Sequence, residues 1–352
     1  MCVASMWRMI SVLVLFVVTV VTCDLEFVLH KASLYALGLC HLLLSRDRKW
    51  SKKKVPDPDE MCGIAPEGRI RIVFIRHGES AWNEIFNKGK MRIPYRLARG
   101  IAREIALFFT DDSIFIDSPL NGDGLRQVHE LARFLRAWRP GGAEEPAAVT
   151  SGIRCLRGEE EEGGRRSVVV SSNLRRAIAT ATIALWGRLQ RTKERVKILT
   201  FCQEMSRNID TLALAPAKAV PDLKGNCGDL RSWDPALAYD TALNSGNKKL
   251  FGTSGLKRMR AFCEWAFKQA KDPKQGASTV IVGGHSLFFR TFFQTFLPKS
   301  VGDKKKGLDC AVKKMVNAGA VSFELTTAQV ESGAIIYRVV PESIHVLYGG
   351  YE

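Results

Sequence analysis

Ile70 to Ile75 (IRIVFI) is a largely β-branched apolar run, the pattern of a strand buried on both faces. The same reading predicts strands at Ser167–Ser171, Val196–Phe201, Thr279–Val282, Gly319–Leu325 and Ala334–Val340. Between them the apolar period lengthens to that of helices. Leu125, Val128, Leu131, Phe134 and Leu135 mark one within Gly122–Trp138, and Leu174–Leu189 reads as another. Strands alternating with helices predict an α/β fold, a three-layer α/β/α sandwich with a largely parallel sheet. Pro140–Arg166 is rich in Gly, Glu and Arg and is expected to be a disordered insertion.

Two apolar stretches precede this pattern. Met9–Cys23 carries no charge and follows Arg8. Its length as a helix, about 22 Å, falls short of the roughly 30 Å hydrocarbon core and fits a signal-peptide core, with Val21-Thr22-Cys23 as a cleavage site. Ala32–Leu44 follows, then Arg46-Asp47-Arg48-Lys49 and Lys52-Lys53-Lys54. Basic residues after the second stretch would keep the rest of the chain on the cytosolic side of a membrane. The expectation is membrane association through this N-terminal segment, by a signal peptide or by an anchor, with a secretory route as the other reading. Residues 1–54 are read as the targeting or membrane segment, 55–69 as a linker containing Val55-Pro56-Asp57-Pro58-Asp59, and 70–352 as the main domain.

Charge sharpens the picture. The net charge is +16, and Arg46–Arg103 alone holds 15 Lys or Arg against 7 Asp or Glu. An anionic partner follows: a phosphorylated small molecule or phosphoprotein, or an anionic membrane surface. Nucleic acid is not expected, because no zinc spacing, RNP-like aromatic pattern or basic zipper accompanies the charge. Arg96, Arg99 and Arg103 share one helical face between Tyr95 and Phe109, opposite Leu97, Ile101, Ile105 and Phe108. That segment reads either as an ordinary amphipathic helix or as a basic lid over a pocket or a lipid surface. Nine scattered cysteines without metal-ligand spacing read as reduced thiols. The Glu159–Glu162 run lacks fixed ligand spacing, and neither a metal nor a cofactor is expected.

Three motifs carry chemistry, each at the end of a predicted strand, where open α/β sheets bind ligands. The first is Arg76-His77-Gly78-Glu79-Ser80. A histidine that attacks phosphorus must be neutral, and neighbouring cations favour that state while holding the phosphoryl oxygens. The second, Ser171-Ser172-Asn173-Leu174-Arg175-Arg176-Ala177 with Thr180, runs from a strand into a helix N-terminus, a natural phosphate seat. The third is Gly283-Gly284-His285-Ser286.

Together, RHGES-x-WN, SSNLRRA-x-x-T and the late Gly-His-Ser resemble the histidine phosphatase superfamily, which includes phosphoglycerate mutases and many phosphatases. The similarity spans roughly residues 70–340 and implies a phosphoglycerate mutase-like fold. It also implies that His77 is a nucleophile that becomes phosphohistidine and that Arg76, Arg176 and His285 form the phosphate pocket, which Asn83 lines. Glu204 matches the family's proton donor, with Glu79 next in line. In the acid-phosphatase branch an Asp follows the second histidine, and here Ser286 stands there. The mutases' Phe-Thr-Gly-Trp-like segment is replaced by the longer 85–116 stretch, and their paired arginines by Met205–Pro216. Hydrolysis of a phosphomonoester is the simpler expectation. Mutase-type phosphotransfer and a catalytically silent phosphate-binding protein at a membrane are the alternatives.

Overall fold

The computed structural model describes residues 7, 11, 25–45, 47–48, 55–141, 145–159, 166–220, 223, 235–247, 253–271, 276–301 and 308–352. Among the described residues, eight strands form one sheet: β1 (Gly68–Arg76), β2 (Arg166–Ser172), β3 (Val196–Leu199), β4 (Tyr239–Asp240), β5 (Ala277–Gly284), β6 (Ala320–Gln329), β7 (Ile335–Val339) and β8 (His345–Tyr348). Their order is β4-β3-β2-β5-β1-β6-β7, with β8 also paired to β6. Every pairing from β4 to β1 is parallel, and those made by β6 are antiparallel. The architecture is the expected three-layer α/β/α sandwich with a largely parallel sheet.

Alternation along β1 assigns its two faces. Ile70, Ile72 and Phe74 point into one core layer with Phe262, Phe288 and Phe292. Val73 and Ile75 point into the other with Val128, Leu131 and Ile178. All five β1 side chains are essentially inaccessible, as their unbroken apolar run required. Among the described residues, the longer α-helices are α1 (Leu25–Leu44), α2 (Ala81–Asn87), α3 (Ile93–Ala106), α4 (Gly122–Ala137), α5 (Ala147–Arg157), α6 (Arg175–Ala184), α7 (Trp186–Thr192), α8 (Gly255–Lys271) and α9 (Ser286–Phe296). The helix expected over Leu174–Leu189 is broken in two at Leu185.

The structure bears on four segments whose roles are read from composition. First, membrane association through the N-terminal hydrophobic segment is overturned: among the described residues, no helix is long and apolar enough to cross a membrane. The second apolar stretch lies in α1, which is docked on protein. Lys31, Leu34, Gly38 and His41, spaced along one helical face, are buried, and Leu34 packs with Ile116, Leu212 and Leu214. The Met9–Cys23 stretch lies outside the described residues apart from Ser11. Second, Asp47, in the basic flank, is buried and grips Arg258 with both carboxylate oxygens at 2.7 Å. Third, the expected linker is docked as well. Pro58–Met61 forms a 3-10 turn capped by Asp57, because proline suits a first helical position. Met61 is buried against Ala328 and Ile336. Fourth, within the expected disordered insertion the 11-residue α5 buries Ile153, Cys155 and Leu156, an apolar stripe that glycines and glutamates on either side obscured.

Candidate active site

The carboxyl ends of β1, β2 and β5 deliver the three motifs to one place, a cavity of about 190 Å³ lined by Arg76, His77, Asn83, Arg176 and Glu204 among others. Its chain crossings are tight. A Cβ on Gly78 would sit 2.5 Å from the Gly124 carbonyl, so only glycine lets the loop after His77 lie on the first turn of α4. The Gly78 N–H donates to Thr180 Oγ1 at 3.1 Å, and that hydroxyl donates to the Arg176 carbonyl at 2.8 Å, joining the first motif to the second.

His77 is buried. Its Nδ1 lies 2.6 Å from the Gly78 carbonyl, which can only accept, so Nδ1 carries the proton and Nε2 the lone pair of the neutral ring. Burial holds its pKa well below the usual imidazole value, and the Arg176 and Arg76 guanidiniums push the same way. The result is a neutral imidazole with a defined nucleophilic nitrogen between two cations.

Arg176 is 2 % exposed and is fixed by Asp210, whose carbonyl it meets at 2.8 Å and whose carboxylate it meets at 3.1 Å. Arg76 donates to the Met315 carbonyl and approaches Glu352 at 3.5 Å. Asn83 sits in α2, whose N-cap Ser80 accepts the Asn83 N–H at 3.2 Å, and its Oδ1 accepts from Asn87 at 3.0 Å. Glu204 reaches the first turn of α9: one oxygen accepts from the Met205 and Phe288 N–H groups at 2.8 and 2.9 Å.

His285 stands beside His77. It is fully buried, its ring centroid is 5.2 Å from that of His77, and Nε2 lies 2.9 Å from Ser172 Oγ. It is not among the residues that line the cavity. Glu79 is also outside the cavity, tied to Lys88 at 2.7 Å and to Asn121 at 2.7 Å. Arg96, Arg99 and Arg103 line none of it; Arg96 donates to the Ile85 and Gly89 carbonyls, and the other two are exposed.

Several lining residues were given no site role from sequence. Asp210 and Asn208 come from the 205–216 stretch, Ser286 from the start of α9, and Lys314 from the turn before β6. Asp117 lies outside the lining but prepares it. At a positive φ of 48°, it accepts the Arg175 N–H at 2.8 Å and the Leu214 N–H at 3.1 Å, so it ties the start of α6 to the segment carrying Asp210. Burial raises the Asp117 pKa, opposed by Arg175 and Arg176. Among the described residues, no three His, Cys, Asp or Glu gather as a metal site.

No family model matches the chain, and no curated protein matches it either. Solved structures do resemble it. A mycobacterial hydrolase shares 14% identity, with 78% of this chain and 97% of that chain covered and a TM-score of 0.35. The mycobacterial glucosyl-3-phosphoglycerate phosphatase in complex with VO3 shares 16%, covering 77% and 97%, at a TM-score of 0.34. A putative alpha-ribazole-5'-P phosphatase from Escherichia coli shares 13%, covering 77% and 95%, at 0.33. The chain is similar to these proteins at a level that leaves its own side chains to carry the functional reading.

Proposed function

We propose that this chain is a phosphomonoester hydrolase of the histidine phosphatase type, working through a phosphohistidine at His77. The observation that carries the reading is the state of His77: neutral, with Nδ1–H given to the Gly78 carbonyl, flanked by Arg76 and Arg176. In the first step the Nε2 lone pair forms a bond to phosphorus while the bond from phosphorus to the ester oxygen breaks. Arg76 and Arg176 hold the equatorial oxygens, whose charge they neutralise, and Asn83 and Lys314 add donors at the rim. The leaving oxygen takes a proton, which we assign to Glu204. In the second step Glu204 accepts a proton from water as the water oxygen bonds phosphorus, the N–P bond breaks, and phosphate leaves. His285 packs beside the ring of His77, with its Nε2 against Ser172.

The cavity also supports a substrate class. It is small, and Asn83, Asn87, Ser206, Asn208 and Thr211 present neutral hydrogen-bonding groups around the cations. Such a lining suits a small phosphate ester with hydroxyl or carboxylate groups better than a phosphoprotein loop.

Rapid-quench labelling of the full chain with a radiolabelled phosphate ester tests the reading. The expected product is an acid-labile, alkali-stable phosphoprotein formed by the unaltered chain and absent from His77→Ala. Label of the same stability on His77→Ala would remove His77 as the nucleophile.

A further inference from the structure

A second cavity, of about 270 Å³, opens where α4, α5, α6 and α7 meet. It shares no lining residue with the phosphate cavity. Arg176 starts α6, and Ile183 and Ala184 at its other end wall the second cavity, a helix length of about 15 Å away.

Its lining joins an apolar wall, with Leu135, Leu156 and Ile183, to four arginines: Arg136, Arg157, Arg188 and Arg191. Three of these are anchored on helix ends. Arg157 donates to the Trp138 carbonyl at 2.7 Å, Arg191 to the Arg157 carbonyl at 3.0 Å, and Arg188 to the Cys155 carbonyl. These bonds satisfy carbonyls at the carboxyl ends of α4 and α5, and they fix the guanidiniums in place. Two carboxylates pair with three of the four cations: Glu159 meets Arg157 at 2.7 Å and Arg191 at 3.7 Å, and Glu194 meets Arg188 at 2.6 Å. Arg136 is exposed and makes no ion pair among the described residues. Three anchored guanidiniums and one exposed guanidinium beside an apolar wall in a cavity suit an organic anion: its body is desolvated, and its anionic group meets cations most of which the fold already holds in place.

We infer that this cavity is a binding site for a small organic anion, a carboxylate, sulfonate or phosphate on an apolar body. The arginines take the anionic group, with forked bonds to its oxygens. The apolar body lies on Leu135, Leu156 and Ile183.

Titration calorimetry of the full chain with 1-naphthalenesulfonate, which no phosphatase can hydrolyse, tests this. Two variants accompany it: Arg136→Glu/Arg191→Glu, which reverses charge at exposed positions, and Ala132→Trp, which fills the cavity from α4. The expected result is saturable one-site binding to the unaltered chain, weakened about tenfold or more in each variant that keeps the parent's circular dichroism and melting behaviour. The absence of saturable binding up to about 1 mM would overturn the inference. So would undiminished binding to the folded charge-reversal variant, which would leave the arginines as helix caps alone.

Discussion

Arg176 is gripped by Asp210 at two points, its carbonyl at 2.8 Å and its carboxylate at 3.1 Å, and both side chains are buried. On the proposed function, a phosphate ligand would enter beside an ion pair that already exists. Removing the carboxylate strands a buried cation, a change that typically costs about 3–5 kcal/mol. Bound phosphate would supply the missing charge. Asp210→Ala is expected to melt well below the parent, yet to gain more in melting temperature from saturating inorganic phosphate than the parent does. Thermal melts across a phosphate titration check this, and equal gains would show that Arg176 does not face the ligand.

The state of His77 predicts a pH profile. Burial, then Arg176 and Arg76, hold its pKa well below 6.5, so its imidazole stays unprotonated through mildly acidic solution. The acidic limb of kcat/KM, after allowance for the substrate's own ionisation near about 6, is expected clearly below pH 6.5. Arg176→Gln removes one of the causes and is expected to move that limb upward as well as lower the rate. The stability consequence has the opposite sense to that of a charged, paired histidine. Below about 6.5 the unfolded imidazole takes up a proton that the folded one refuses, so stability falls as pH drops through that value. A limb at the ordinary imidazole pKa in the parent would contradict the buried, neutral ring.

How far the chain's pattern disclosed these features follows from which contacts are local. β1 was legible because both its faces are buried, which forces an unbroken apolar run, and His77 and Arg76 were legible because they end that run. The two-residue β4 and the edge strand β8 have too little pattern to register. Asp117 and Asp210 look like ordinary loop acids until the fold closes and sets Arg175 and Arg176 against them. Helix α1 misled for a physical reason. It is apolar nearly all round, with Leu39, Leu42, Leu43 and Leu44 exposed, so period alone cannot separate its docked face from its solvent face. The docked face is marked instead by polar residues, Lys31 and His41, whose partners are carbonyls far along the chain.

Glu204 predicts a dependence on leaving group. An alkoxide must be protonated as it departs, whereas a nitrophenolate departs without help. Glu204→Gln is therefore expected to slow alkyl phosphates far more than nitrophenyl phosphate, by about 10²-fold against a few-fold. Glutamine keeps one carbonyl oxygen to accept from the Met205 and Phe288 N–H groups, so the start of α9 is preserved. Single-turnover rates on both ester types decide it, and equal slowing would assign the proton to another group.

The docking of α1 makes the last prediction, and it connects the N-terminal region to catalysis. Leu34 is 2 % exposed among Ile116, Leu212 and Leu214. A Cβ on Gly38 would come within 2.7 Å of the Ile209 side chain, and His41 donates to the Ser206 carbonyl at 2.9 Å. Ile116 precedes Asp117, and Ile209 precedes Asp210, so the helix braces both acids that set Arg175 and Arg176. Lys31 adds a buried ammonium that donates to the Leu107 and Asp112 carbonyls after α3. Burial lowers its pKa, and Glu104 at 3.8 Å opposes that shift. Leu34→Ala is expected to cost about 2–5 kcal/mol in urea denaturation, whereas Leu43→Ala, at a position 71% exposed, should stay within about 0.5 kcal/mol. At temperatures where Leu34→Ala remains folded, kcat/KM should also fall, because Asp210 would hold Arg176 less firmly. Equal stability of the two variants would mean that α1 does not brace the site, and the apolar stretch would then need another explanation.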